Sequence, residues 1–386
     1  MKKVIIVAAK ANMIRQFNQR NINMLISKGY EVHVATNFIE FGSMSESENQ
    51  ALQLWLTNIG AVMHQIDFSR GIGNFKQNIL ALKQLKKVFV QNKFEFMHVH
   101  SPLGGILGRL VARRYRVPSI YTVHGFHFFK GGPLINWLIF FPLEFLFAYF
   151  TDWVVTINQS DENIARSMPY KHRSRIHGNG TDILNNLAVS EITKEKIRKR
   201  IRMELSIPNE AFVVLSVGEL NANKNHRIVL EAISRLKDTD VEIYYLIAGV
   251  GPLKEELLNS AKELGISEHF RLLGYRTDVH AINYAADLFV FPSLREGLGI
   301  AGLDAVSDGT YILGSQAGGI RDYVFDDSFG KLFDPTDAEK LSSLIKERIG
   351  METSRYRDNS KLTSFDNSEV DKIISNIYEE ISNSTE

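Results

Sequence analysis

The chain has 386 residues, 44% hydrophobic and 23% charged, which suits an ordinary soluble protein of two domains that each bury a core. It has no cysteine, which excludes disulfides, thiolate metal sites and a cysteine nucleophile and points to a reducing cytoplasm. The net charge of +1 conceals an uneven split: residues 1–203 hold 27 lysines and arginines against 13 acids, net +14, and the remainder is net −13.

In chain order, the apolar run 4–9 (VIIVAA) is too short for the core of a signal peptide and reads as a buried first strand. Buried parallel strands are short apolar runs rather than alternating ones, and further runs of this kind lie at 32–35, 96–100, 119–123 and 153–157. Helical patterns at 17–28 and 75–91 fall between them, so the first half is expected to be α/β with a parallel sheet. Residues 134–150 are apolar at 14 of 17 positions, broken by Asn136, Pro142 and Glu144. A spanning helix needs about 20 apolar residues, so this run is expected to be a buried core helix or an element facing a membrane surface without crossing it. A basic, strand-poor stretch follows at 171–206, with a charged helical pattern at 191–202. Strands are then expected at 212–217, 242–248, 270–273, 288–292 and 311–314, with helices at 228–236, 253–264, 279–285 and 301–307. The reading is therefore one α/β domain over 1–183, a second over 184–367, and a terminal helix in 368–386 that could pack back on the first.

The strongest chemical signal is SLREGLGIAGLD, residues 293–304, which follows a strand and opens a helix. Gly297 and Gly299 allow close approach of a ligand to the backbone. The helix start offers free N–H groups and a positive dipole end, suited to a diphosphate. Glu296 can accept hydrogen bonds from sugar hydroxyls, and Asp304, expected in the first helical turn, can hold ribose hydroxyls. Arg295, Leu298 and Ile300 complete this donor-binding segment. A second signal is GELNANKNH, residues 218–226: Gly218 at a strand end, then Lys224 as a compact cation over phosphates. Gly249, in AGVG, and Gly274, Tyr275 and Arg276, in LLGYR, also sit at strand ends, where open α/β sheets bind ligands. They are expected to supply backbone and stacking contacts to a base.

The first half contributes YTVHGFHFFKG, residues 121–131, with His124 at a strand end, and HSPLGG, residues 100–105, with Arg109 beyond. His100, Gly104, Arg109, His127 and Lys130 are the expected acceptor-binding residues. Lone histidines are usually structural, but three near two neighbouring strand ends suggest a site, and no spacing here supports a metal. The formal DxD at 238–240 precedes a strand and reads as a turn.

Together these residues resemble the retaining GT-B glycosyltransferases of the glycogen-synthase-like family four, over residues 1 to about 380. That resemblance implies two Rossmann-like domains with parallel sheets facing across a cleft. Its E-x7-E pattern is matched at Glu296 but ends in Asp304; its usual Gly-Arg-Leu is Gly218-Glu219-Leu220; and Asp322 stands for Glu after Gly318-Gly319. Arg295 could replace the cation lost at Glu219. The combination GEL-NxNKNH, REGLG and YTxHGFHFxKG is similar to the subgroup that builds bacterial capsular polysaccharides or exopolysaccharides on a lipid carrier. It implies a UDP-sugar donor, an undecaprenyl-diphosphate-linked saccharide acceptor, retention of configuration and no essential metal or other cofactor. By the same resemblance His124, Lys224 and Glu296 are catalytic. A hexosyl- or N-acetylhexosaminyltransferase is expected, in the cytoplasm at the inner face of the plasma membrane. The alternatives are a catalytically silent nucleotide-sugar-binding partner and a GT-B epimerase. The positive first half fits an anionic membrane surface, with Arg109, Arg113, Arg114, Arg116 and Lys130 as the cations and Trp137 as an inserting side chain. No nucleic-acid motif is present, and a merely solvated basic face is the plain alternative.

Overall fold

The computed structural model describes residues 1–69, 73–100, 102–129, 132–236, 239–351 and 357–384. The chain divides into two units, Met1–Asn179 with Ser368–Glu386, and Gly180–Asn367. The division thus falls four residues before the expected boundary.

In the first unit, the described strands are β1 (Lys3–Lys10), β2 (Glu31–Asn37), β3 (Val62–Gln65), β4 (Phe94–His100), β5 (Ser119–Val123), β6 (Trp153–Thr156) and β7 (His172–Arg175). They pair in parallel, in the order β3-β2-β1-β4-β5-β6-β7. The second unit holds β8 (Phe212–Val217), β9 (Ile243–Ala248), β10 (Phe270–Gly274), β11 (Leu288–Phe291), β12 (Tyr311–Ser315) and β13 (Gly330–Phe333). These too are parallel, in the order β10-β9-β8-β11-β12-β13. Each sheet reverses its winding once, between β1 and β4 and between β8 and β11. Loops diverge there and leave a crevice beyond the carboxyl ends of the strands.

The central strands are those that the apolar runs indicated. The strands absent from the sequence reading, β3, β7 and β13, lie at sheet edges, are only four residues long and are partly solvent-facing. An edge strand needs no continuous apolar run, so β7 escapes notice within the basic stretch 171–206. The pattern at 17–28 is the helix Gln19–Ser27, preceded by a helix the sequence reading lacked, Ala11–Phe17.

The terminal helix Asn367–Asn383 does return to the first unit. Val370, Ile374, Ile377, Tyr378 and Ile381 recur at helical spacing and join the core that includes Ile6 and Phe96. Tyr378 stacks on Phe96 and its hydroxyl lies 2.8 Å from His98 Nδ1. Arg20 pairs with Asp371, and Lys28 with Glu379.

The apolar run 134–150 forms the helix Leu134–Ala148, and its two faces behave differently. Trp137, Phe140, Phe141, Phe147 and Ala148 pack into the core, whereas Leu134 is 80% and Leu138 73% exposed. Glu144 is buried and explains the interruption: Arg109 Nη1 and Nη2 fork onto its two oxygens at 2.7 and 3.2 Å, and Tyr170 donates to Oε1 at 2.8 Å. Arg109 also donates to Gly105 O and Thr151 Oγ1 and lies 4.1 Å from the Tyr121 ring centre. A buried charge broken from its partner is strongly destabilising because the partner stays desolvated. Arg109→Ala is therefore expected to lower unfolding free energy by about 3–5 kcal/mol. Urea unfolding checks this, and Glu144→Ala should cost a similar amount.

Candidate functional site

The two loops at the reversal of the second sheet are tied to each other. β8 leads into Gly218 and β11 into Ser293. Leu294 N donates to Asn223 O at 2.8 Å and Asn223 Nδ2 to Arg295 O at 2.9 Å. Asn225 Nδ2 reaches Pro292 O at 3.3 Å. Asn221 caps the short turn Ala222–Lys224 by accepting from Lys224 N, and Asn225 is left-handed, which re-aims the chain after the lysine. The result is a Lys224 Nζ held 2.5 Å from Glu296 Oε1 and 5.0 Å from the Phe291 ring centre. This ion pair is only partly exposed, so each charge is held by the other and by the loops.

A third loop supports Glu296 from behind. Gly319 N donates to Gly297 O at 3.0 Å, and a Cβ on Gly318 would stand 1.8 Å from Glu296 O. Gly318 also has φ +53°, so glycine is required there by both space and conformation. Gly299 caps the helix Ile300–Asp308 at φ +81°, and Tyr323 fixes it by donating to Gly299 O at 3.0 Å. Among the described residues no hydrogen bond occupies the amides of Ile300 and Ala301. Gly249 and Gly274 are joined by Gly249 N→Gly274 O at 2.8 Å, and a Cβ on Gly249 would collide with Gly218 O. Gly218, Gly249 and Gly274 thus adjoin at neighbouring strand ends. Lys224, Glu296 and free helix amides can there hold a diphosphate by charge and by backbone N–H groups.

Several sequence assignments are corrected. Asp304 is in the second turn of its helix, not the first, and accepts from Thr181 Oγ1 at 2.9 Å. Leu298 is a core side chain, so only its backbone can meet a ligand. Arg276 is forked on Asp278 and bonded to Glu204 through its N–H edge, which leaves the faces of the guanidinium unoccupied by these bonds, and Tyr275 is exposed. Glu219 is exposed and accepts from Asn221 Nδ2. Of the DxD, Asp238 lies outside the described residues, and Thr239 donates twice to Leu236 O in a turn. Among the described residues no group of three or more histidines, aspartates and glutamates could hold a metal ion.

In the first unit, His100 and His124 meet: Nδ1 of the first is 3.0 Å from Nε2 of the second. Phe17, whose helix follows β1, stacks on His124 at 4.7 Å. Burial holds all three strand-end imidazoles neutral, His98 at about 3, His124 at about 4 and His100 also well below the usual value. Gly104 is buried, and His127 lies against Phe140, beside the helix Leu134–Ala148. Arg109 is wholly buried on Glu144 and cannot bind an acceptor or a membrane, which corrects both expectations. Lys130 lies outside the described residues.

The family profile "Glycosyltransferase Family 4" matches residues 19–183, and "Glycosyl transferases group 1" matches residues 197–361. EpsD of Bacillus subtilis, provisionally assigned as a glycosyltransferase, is 32% identical over 276 residues, 70% of this chain and 71% of that one. The chain belongs to the family 4 glycosyltransferases. The UDP-Gal:α-D-GlcNAc-diphosphoundecaprenol α-1,3-galactosyltransferase of Escherichia coli is 30% identical over 283 residues, 70% of this chain and 72% of that one. HepE of Anabaena, solved with UDP and glucose, shares the GT-B fold at TM-score 0.70 and 18% identity, over 99% of this chain and 100% of that one.

Within this glycosyltransferase, Thr181, Asn223 and Tyr323 are site-supporting residues that sequence reasoning missed. Asn223 lay inside the quoted motif, but Thr181 is 123 residues from Asp304 and carried no local signal. Burial raises the Asp304 carboxyl to about 6, while the Thr181 hydroxyl and His280 pull it down. Asp304 is therefore expected to titrate near pH 6 by carboxyl carbon NMR. Thr181→Val removes a bond to the ionised form and should move that titration upward.

Proposed function

We propose that this glycosyltransferase moves a hexosyl or N-acetylhexosaminyl group from a UDP-sugar to a polyprenyl-diphosphate-linked saccharide, with retention of configuration, in capsular or exopolysaccharide assembly. The observation that carries this reading is the clamped pair of loops that presents Lys224, Glu296 and the free amides of Ile300 and Ala301 at one sheet reversal. Negative charge develops on the departing diphosphate, and preorganised donors in that place stabilise it without reorganising. Glu296 orients the sugar hydroxyls, and Asp304 takes ribose hydroxyls. His124, with His100, serves the sugar and acceptor end. Lys224 and the helix amides perform the neutralisation that a metal would otherwise supply, so no divalent ion is required. The transferase relatives favour this reading over a silent partner or an epimerase.

The test is a panel of UDP-sugars with a polyprenyl-diphosphate saccharide, with product mass read first and anomeric configuration by NMR. Lys224→Ala and Glu296→Ala should each lower turnover by at least ~10²-fold, and a chelator should leave wild-type turnover largely intact. Folded variants with near-normal rates would move the active site elsewhere, and loss on chelation restored by magnesium or manganese would remove metal independence.

A lipid-anchored acceptor favours a peripheral position on the inner face of the plasma membrane, which is part of this proposal. Leu134, Ile135, Leu138, Ile139 and Leu146 form an exposed face of the helix Leu134–Ala148, whose single charged residue, Glu144, is buried. Such a continuous apolar face is unusual on a monomer in water. Arg113, Arg114 and Arg116 are exposed at the end of the neighbouring helix Pro102–Tyr115 and supply the basic component. Trp137, expected to insert, instead donates to Phe129 O and packs against Phe128 and Phe141. No described helix is long and apolar enough to cross a membrane. Each basic residue near an anionic surface adds about 1 kcal/mol, screened by salt. Co-sedimentation with anionic vesicles should therefore fall as salt rises and weaken in Leu138→Glu. Equal binding to neutral vesicles, or none at low salt, would take the membrane out of the proposal.

A further inference from the structure

The exposed apolar face of the helix Leu134–Ala148 runs into a cavity. Tyr149, the next residue, is 58% exposed and lines a space of about 510 Å³, the size of a ligand pocket. Trp153 and His172, which open β6 and β7, also line it. The cavity therefore lies at the amino ends of these strands, at the opposite end of the sheet from the crevice, and wholly within the first unit.

Its charges are unevenly satisfied. Lys171 and Asp152 pair with each other, and Ser119 N donates to the second oxygen of Asp152 at 2.9 Å. Arg113 and Arg116 are exposed and, among the described residues, meet no carboxylate, whereas Arg109 on the same helix is held by Glu144. Arg113 stands 5.8 Å from the ring centre of Phe150. Arg116 follows the helix Pro102–Tyr115 at φ 56°, a left-handed position where glycine is the usual terminator. A cation is thus kept where the backbone favours glycine. Glu380 on the terminal helix is the other lining carboxylate, so three cations face two acids.

Three helices, Pro102–Tyr115, Leu134–Ala148 and Asn367–Asn383, end near this cavity, and their carbonyl ends repel anions. An anion there must be held by the arginine side chains, whose planar forks match phosphate oxygens. Beyond the arginines, Leu138, Leu146 and Tyr149 continue the exposed apolar face. A cationic pocket joined to an apolar stripe has the polarity of an amphiphile with a phosphate head.

We propose that this cavity binds the phosphate-bearing head of an anionic glycerophospholipid, whose chains follow the apolar face of the helix Leu134–Ala148. This rests on the peripheral membrane reading and adds a specific subsite where that reading needs only diffuse charge.

Trp153 reports on the cavity: it stacks on His172, donates to Ser174 Oγ at 3.0 Å, and is one of three tryptophans, so Trp153→Phe assigns its indole N–H signal. Titrating the full chain with dihexanoyl phosphatidylglycerol, below its micelle-forming concentration, should shift that signal saturably. Arg113→Gln and Arg116→Gln should each weaken binding ~10-fold or more, the scale of one charge-assisted hydrogen bond. Arg114→Gln removes the same charge from a neighbouring exposed position that does not line the cavity, and should change binding less than ~2-fold because the charge is screened. Equal losses in all three variants, or no saturable shift, overturn the subsite. Inorganic phosphate and glycerol phosphate should act far more weakly; equal potency overturns the lipid assignment. The two readings fail separately. Salt-sensitive vesicle sedimentation without a Trp153 response leaves the membrane reading standing and overturns the subsite. A saturable Trp153 response without sedimentation supports the subsite and removes the surface reading.

Discussion

Lys224 and Glu296 are 72 residues apart in the chain and 2.5 Å apart in space, and the candidate site depends on what brings them together. The cause is the winding order of the second sheet. β8 and β11 are neighbours because the order reverses there, so the loops leaving them emerge side by side. Asn223 then fastens one loop to the other through backbone groups, which fixes the separation of the two charges without using the charges themselves. Glycines at 249, 299 and 318 are needed because neighbouring backbone or ring atoms occupy the space of a side chain.

The first unit solves a different problem, that of keeping polar groups inside a sheet core. Arg109 and Glu144 satisfy each other with Tyr170 and Thr151, and the histidines of β4 and His124 just past β5 stay neutral under burial. Neutral histidines present directed donors and acceptors without the cost of buried charge. The terminal helix contributes to this order through Tyr378, so the last segment of the chain supports the strand ends from behind. The electrostatic split also needs reassignment: six of the cations counted in residues 1–203 lie on the helix Glu191–Glu204 of the second unit, where Arg198 and Arg202 pair with Asp287.

The sequence by itself determined the alternation of strand and helix, the central apolar strands of both sheets and the segments bearing Lys224, Glu296 and His124. These are local properties: a buried parallel strand must be apolar along its whole length, and a phosphate loop needs its glycines and its lysine at short spacing. Only tertiary structure decided the rest. The edge strands β3, β7 and β13 form because a partner strand offers hydrogen bonds, which leaves little mark on their composition. Arg109 belongs to the interior because Glu144, 35 residues away, is folded against it, and a sequence cannot show that a basic residue has found a buried acid. Thr181 on Asp304, Asp278 and Glu204 on Arg276, and His100 on His124 are likewise contacts between segments distant in the chain or between side chains whose directions are set by packing. Spacing along the chain locates a functional group, but burial and the partner it meets decide whether that group is available to a ligand.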